Sequence, residues 1–140
     1  MNPAPAVGVF LLNDANELAV AVRAFEPGMG KFDVPGGFVD GSEIFEQAII
    51  RELEEETGLS QNEYSPPQYL CSGMDMYEFG NEKVPVLGAN FWSRLERGAT
   101  LLPNDDVAEI RFMPLNDIEP NMFFFSGVQA GARELKKLLS

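Results

Sequence analysis

Residues 42–57, SEIFEQAIIRELEEET, constrain this chain more than any other stretch. They read as a charged helix, with Ser42 as its N-cap and Gly58 as its C-terminal stop. On that helix Ile49, Ile50 and Leu53 fall on a face that can dock into a core. Glu52, Glu55 and Glu56 then stand at i, i+3 and i+4, so their carboxylates share an adjoining face. Glu54 makes four acids in five residues, with only Arg51 as local relief. Like charges at this spacing weaken an isolated helix, so folding has no use for them. A solvated acidic face is the ordinary reading of such a cluster. What precedes the helix changes the balance. Val34-Pro35-Gly36-Gly37 is a turn in which two residues lack a Cβ, so the backbone can approach a ligand closely. Carboxylates beside a carbonyl-bearing turn suit a hard divalent ion such as Mg²⁺, which also takes phosphate oxygens and water.

The flanking sequence supplies a sheet. Residues 6–12 and 17–24 read as two strands around the turn Asn13-Asp14-Ala15-Asn16. A Gly- and Pro-rich loop follows up to the helix. Residues 68–79, 84–95 and 109–114 are further strands, and residues 126–139 form a closing helix with Ser126 as its cap. No internal repeat or low-complexity tract interrupts this order, and 140 residues suit one domain, 1–140. The fold class is α/β or α+β, a mixed sheet with helices on its faces.

Composition excludes several chemistries. With no histidine, Ser-His-Asp triads, Cys-His dyads and HExxH metal sites are all ruled out. A single cysteine, Cys71, cannot form an intramolecular disulfide. The net charge of −12 argues against nucleic acid or anionic lipid as a bare partner. An anionic substrate would need a cation between itself and this protein. The N-terminal segment has no basic leader, and its apolar run is too short for a signal or a membrane span, so a cytoplasmic protein is expected.

Residues 37–59 resemble the Nudix box: Gly37, Glu43, Arg51, Glu52, Leu53, Glu55, Glu56, Gly58 and Leu59 occupy all its fixed positions. The resemblance implies an α/β/α sandwich with a mixed β-sheet. It further implies a metal-dependent pyrophosphohydrolase that splits a nucleoside diphosphate linked to a group X into a nucleoside monophosphate and phosphorylated X. By position, Glu55 and Glu56 are the implied main metal ligands, and Glu52 a further ligand or the general base. Gly36 is the implied carbonyl donor, while Arg51, Glu43 and Gly37 hold the catalytic helix in place. The implied cofactor is Mg²⁺, with Mn²⁺ as the alternative. A further acid is expected from the C-terminal side: Asp106 first, with Asp105 and Glu109 in reserve. An ordinary Asx turn explains the same residues equally well.

Substrate marks are sparse. The segment FDVPGGFVDGSE is similar to the ADP-ribose/NADH branch, while Tyr77 is similar to a mark of dinucleoside polyphosphate hydrolases. Nucleoside triphosphate (oxidised-nucleotide) hydrolysis, a non-hydrolytic nucleotide-binding regulator and a plain acidic interaction domain are the alternatives. A pure binding module would have no use for repelling carboxylates. Arg23, Arg94 and Tyr77 are candidate substrate contacts, each with an ordinary surface or packing role as its competitor. Phe123-Phe124-Phe125 reads as core, or as the interface of a homodimer, before it reads as a nucleobase clamp.

Overall fold

A computed structural model describes residues 2–140. Alternate residues of strand β1 (Ala4–Leu12) enter two different cores, and this divides the molecule into layers. Val7, Val9 and Leu11 pack with Ala48, Ile49 and Leu53 of helix α1 (Phe45–Thr57). Phe10 and Leu12 point the other way and pack with Ala132 and Leu135 of helix α2 (Ser126–Leu138). Side chains alternate across a strand, so the two helices cover opposite faces of the sheet. The result is a three-layer α/β/α arrangement.

The remaining strands are β2 (Glu17–Arg23), β3 (Phe32–Asp33), β4 (Gly36–Phe38), β5 (Gln68–Phe79), β6 (Glu82–Arg94) and β7 (Val107–Pro114). The sheet has seven strands, with β3-β2-β1-β6-β5 in sequence, β4 paired to β1 and β7 paired to β2. Among the described strands, the long β1/β6 pairing is parallel and the other strand pairings are antiparallel, so the sheet is mixed. Among the described residues, no helix is long and apolar enough to cross a membrane.

Several elements depart from the sequence expectation. Helix α1 starts at Phe45, with Ile44 rather than Ser42 at the N-cap. Glu43 explains the delay. Its backbone N–H closes a turn onto Asp40 O at 2.8 Å, and its carboxylate accepts from Asp40 N and Arg51, which keeps residues 40–43 out of the helix. The expected loop before α1 contains β3 and β4. β4 can join β1 because a Cβ on Gly36 would overlap the Val7 carbonyl. Ser126 is the first residue of α2 rather than its cap. Phe125 holds the N-cap position, and the capping carboxylate comes from Asp75 on β5.

Candidate active site

Arg51 ties α1 to the segment that precedes it and to two of its own glutamates. Its Nε donates to Glu43 Oε2 at 2.7 Å, its Nη2 to Glu43 Oε1 and the Phe38 carbonyl at 2.9 Å each. Its Nη1 reaches Glu52 Oε1 at 2.9 Å and Glu55 Oε2 at 3.2 Å. One guanidinium therefore pins the helix to β4 and gathers three carboxylates. Glu52 is buried beneath β4, and a Cβ on Gly37 would stand 2.6 Å from Glu52 Oε1. Glycine at this position is a steric requirement of the buried carboxylate. The Glu55 side chain is 60% exposed and lies on the outer surface with Arg51.

One helical turn on, Glu56 opens into a cleft that it lines together with Gly36, Arg23, Phe25, Asp33 and Asp106. Asn104 Nδ2 donates to Glu56 Oε2, and Asn104 Oδ1 accepts from Asp106 N at 3.0 Å, so the 104–106 turn is tied to the helix. Charges here push one another. Burial first, then the charges of Glu52, Asp106, Asp33 and Glu55, raise the Glu56 carboxyl to about 7. Burial also raises Glu52, against the pull of Arg51. Glu43, hydrogen-bonded to Arg51, is held down to about 2.

The expected carboxylate triad is present on one helix but is not gathered around a point. Among the described residues, no three acidic side chains stand close enough to hold a metal ion as they are. The reason is visible in the hydrogen bonds: Arg51 draws Glu52 and Glu55 to itself, while Asn104 holds Glu56. The donor set still fits a hard divalent ion. It offers carboxylate and carbonyl oxygens without thiolate or imidazole, and it concentrates negative charge that a cation would relieve.

Asp33 leads from this cleft to an aromatic one. It lines both, together with Arg23. Arg23 Nη1 pairs with Asp33 Oδ2 at 3.1 Å, and Val34 N donates to Asp33 Oδ1 at 2.8 Å. Burial nevertheless raises Asp33 to about 6, with a smaller push from the charge of Asp75. The Arg23 guanidinium rests 5.3 Å from the Phe124 ring centre and 5.1 Å from that of Phe125, within cation–π range. Tyr77 stacks on Phe125 at 4.7 Å and 15°, and burial pushes its hydroxyl up to about 12, so it stays protonated.

The three phenylalanines therefore divide. Phe123 is fully buried in the α2 core, edge-on to Phe10 and Phe32, while Phe124 and Phe125 line the aromatic cleft. Arg94 does not reach either cleft. It sits at the Leu12 end of β1, where it donates to Asn13 O and Asn16 Oδ1 and braces the β1–β2 turn. Asp105 and Glu109 do not line the cleft with Asp106. Asp33 and Asp75 escaped the sequence reading, and Phe125 reads there with its neighbours as core or interface before clamp. The available signal was position: Asp33 stands two residues before Pro35-Gly36, and Asp75 shares a strand face with Tyr77.

A family profile described as NUDIX domain matches residues 2–133. The chain is 42% identical over 124 residues to an ADP-ribose pyrophosphatase of Methanocaldococcus jannaschii, covering 89% of this chain and 69% of that protein. It is 39% identical over 88 residues to an 8-oxo-dGTP diphosphatase of Escherichia coli, covering 62% of this chain and 61% of that one. Among solved structures, a MutT NUDIX hydrolase from Burkholderia pseudomallei superposes with a TM-score of 0.77 at 20% identity, covering 96% of this chain and 99% of its own.

Proposed function

This chain belongs to the NUDIX domain family of hydrolases, and from that premise we propose that its 140 residues act as one divalent-metal-dependent pyrophosphohydrolase whose substrates are nucleoside diphosphates linked to a second group, of the ADP-ribose type. NUDIX hydrolases generally need divalent metal ions. The observation that carries the reading is the shared cleft of Glu56, Gly36, Asp106 and Arg23, which brings two carboxylates, a glycine turn and a cation together. The ADP-ribose preference is supported by the longer match to the M. jannaschii enzyme than to the E. coli one.

In this reaction water attacks one phosphorus of the pyrophosphate in line with the bridging oxygen, whose P–O bond breaks. Divalent ions held here would supply charge neutralisation for the pyrophosphate and a lowered pKa for the attacking water. Glu52, Glu55, Glu56, Asp106 and the Gly36 carbonyl are the residues that would hold them. Arg51 and Glu43 keep α1 registered against β4, so the carboxylates need only turn their side chains. Glu52 is the group best sheltered to take the proton of water when it is not a ligand, because burial favours its neutral form. Arg23 is the cationic contact for the substrate's phosphates or ribose.

Incubation with ADP-ribose, NADH, a dinucleoside polyphosphate and 8-oxo-dGTP, each with Mg²⁺, Mn²⁺ or EDTA, tests the reading by chromatography of the products. AMP and ribose phosphate from ADP-ribose, abolished by EDTA, is the expected result. Turnover that survives EDTA would remove the metal, and pyrophosphate release from 8-oxo-dGTP alone would replace the substrate class.

A further inference from the structure

A joint between β5 and α2 lies beside the aromatic wall of the cleft. Helix α2 has no side-chain cap of its own, since Phe125 stands at the N-cap. A helix start leaves backbone N–H groups without partners, and here a side chain 51 residues earlier in the chain satisfies them. Asp75 Oδ1 accepts from Ser126 N at 2.9 Å and from Ser126 Oγ at 2.7 Å, while Asp75 Oδ2 accepts from Gly127 N at 2.9 Å. The strand and helix also meet backbone to backbone. A Cβ on Gly73 would stand 2.5 Å from Gly127 Cα, and one on Gly127 would stand 2.7 Å from Asp75 Oδ2. Two residues beyond Asp75, on the same strand face, Tyr77 stacks on Phe125, the residue just before the capped N–H groups.

We propose that Asp75 is a positioning residue for substrate binding: by capping α2 from the neighbouring strand, its carboxylate holds the Phe125 ring on Tyr77 and thereby sets the aromatic wall on which Arg23 rests. This rests on the proposed reading of the cleft as the substrate's. Three charge-assisted bonds fix the backbone at residues 126 and 127, and the Phe125 ring is one residue away from that anchor. Asp75 touches none of the reacting groups in this arrangement. Its loss therefore acts on binding, with the carboxylates of α1 left in place.

The test measures kcat and KM for ADP-ribose with Mg²⁺ at a temperature well below the melting point of every variant, with Tm recorded by calorimetry. The variants are Asp75→Ala, Asp75→Asn, Ser126→Ala, Phe125→Leu and the Asp75→Asn/Phe125→Leu double. KM is expected to rise about tenfold in Asp75→Ala, and less in Asp75→Asn, whose one carbonyl still accepts. Ser126→Ala should show the smallest rise, and kcat should stay within about threefold throughout. The double variant should be no worse than Phe125→Leu alone, because both changes remove the same wall. If Asp75→Ala does not fold, Asp75→Asn and Ser126→Ala carry the comparison. Unchanged KM in those variants while Phe125→Leu raises it would overturn the proposal, whatever happens to Tm. So would a double variant whose KM is the product of the two single effects. An unchanged KM in Phe125→Leu would remove the cleft reading itself, and the proposal with it, at a step the Asp75 variants do not touch.

Discussion

Glu52, Glu55 and Glu56 come from two successive turns of α1; Glu56 lines the cleft, and Arg51 on the same helix orders Glu52 and Glu55. At the aromatic end, Arg23 comes from β2, Tyr77 from β5, and Phe124 and Phe125 from the approach to α2. At one end the glutamates all come from a single hydrogen-bonded helix. The other is assembled from three segments and held by contacts between them. The difference teaches where each function can fail. Damage to α1 side chains should strike turnover without disturbing the far wall, while damage to the joints of the aromatic end should strike binding and spare the carboxylates.

The largest expected effect breaks the first half of that comparison. Glu56→Gln or Glu55→Gln should lower kcat by roughly a thousandfold or more, because these groups act on charge that develops in the transition state. KM should change by only a few-fold. A Glu56→Gln enzyme near the wild-type rate at saturating Mg²⁺ would take Glu56 out of the mechanism. Asp106→Asn should come next, with a loss of about ten- to a hundredfold, against about twofold for Asp105→Asn. Asp106 lines the cleft with Glu56 and Asp105 does not. Equal small losses in both would place the last acid elsewhere.

Stability sharpens the comparison further. On the proposed reading, metal would bind the folded carboxylates and not the scattered ones of the unfolded chain. At a hundredfold excess over its dissociation constant Mg²⁺ should stabilise by about 2.7 kcal/mol, which corresponds to roughly 5–10 °C in Tm. Calorimetry should find that shift much reduced in Glu56→Gln and intact in Phe125→Leu. An equal shift in wild type and Glu56→Gln would put the ion away from α1.

The smallest expected effect lies at Asp33, which joins the two ends. Its folded pKa of about 6 exceeds the ordinary 3.8, so its stabilising contribution is complete below about 3.8 and is lost as pH rises through 6. The Tm of Asp33→Asn relative to wild type should therefore move upward by a few degrees between pH 4 and pH 7. A difference that is flat across this range would mean that the Arg23 pairing outweighs burial.

How far these features could be read ahead of the structure follows the same division. Periodicity located both helices and the long strands, because alternation of period two and helical spacing are local properties. The carboxylate face of α1 was legible for that reason, as was the stop at Gly58, which adopts the left-handed conformation with φ 76°. Helix starts were less legible. Ser42 and Ser126 have the composition of caps, but Glu43 is engaged by Arg51 and Asp75 reaches α2 from another strand.

By itself, then, the amino-acid order determined the three carboxylates on one helical face, the glycine turn before them and the alternation that sorts β1 into two cores. Tertiary structure alone decided that Arg23 stands in the cleft while Arg94 braces a distant turn, and that Phe123 is core while Phe124 and Phe125 are wall. It also decided that Glu55 faces solvent beside Arg51 although it shares a helical face with Glu52. The physical reason is distance along the chain. Spacing within a helix or strand follows from backbone geometry a few residues long, whereas a contact such as Asp75 with Ser126 exists only after the sheet has brought β5 against α2.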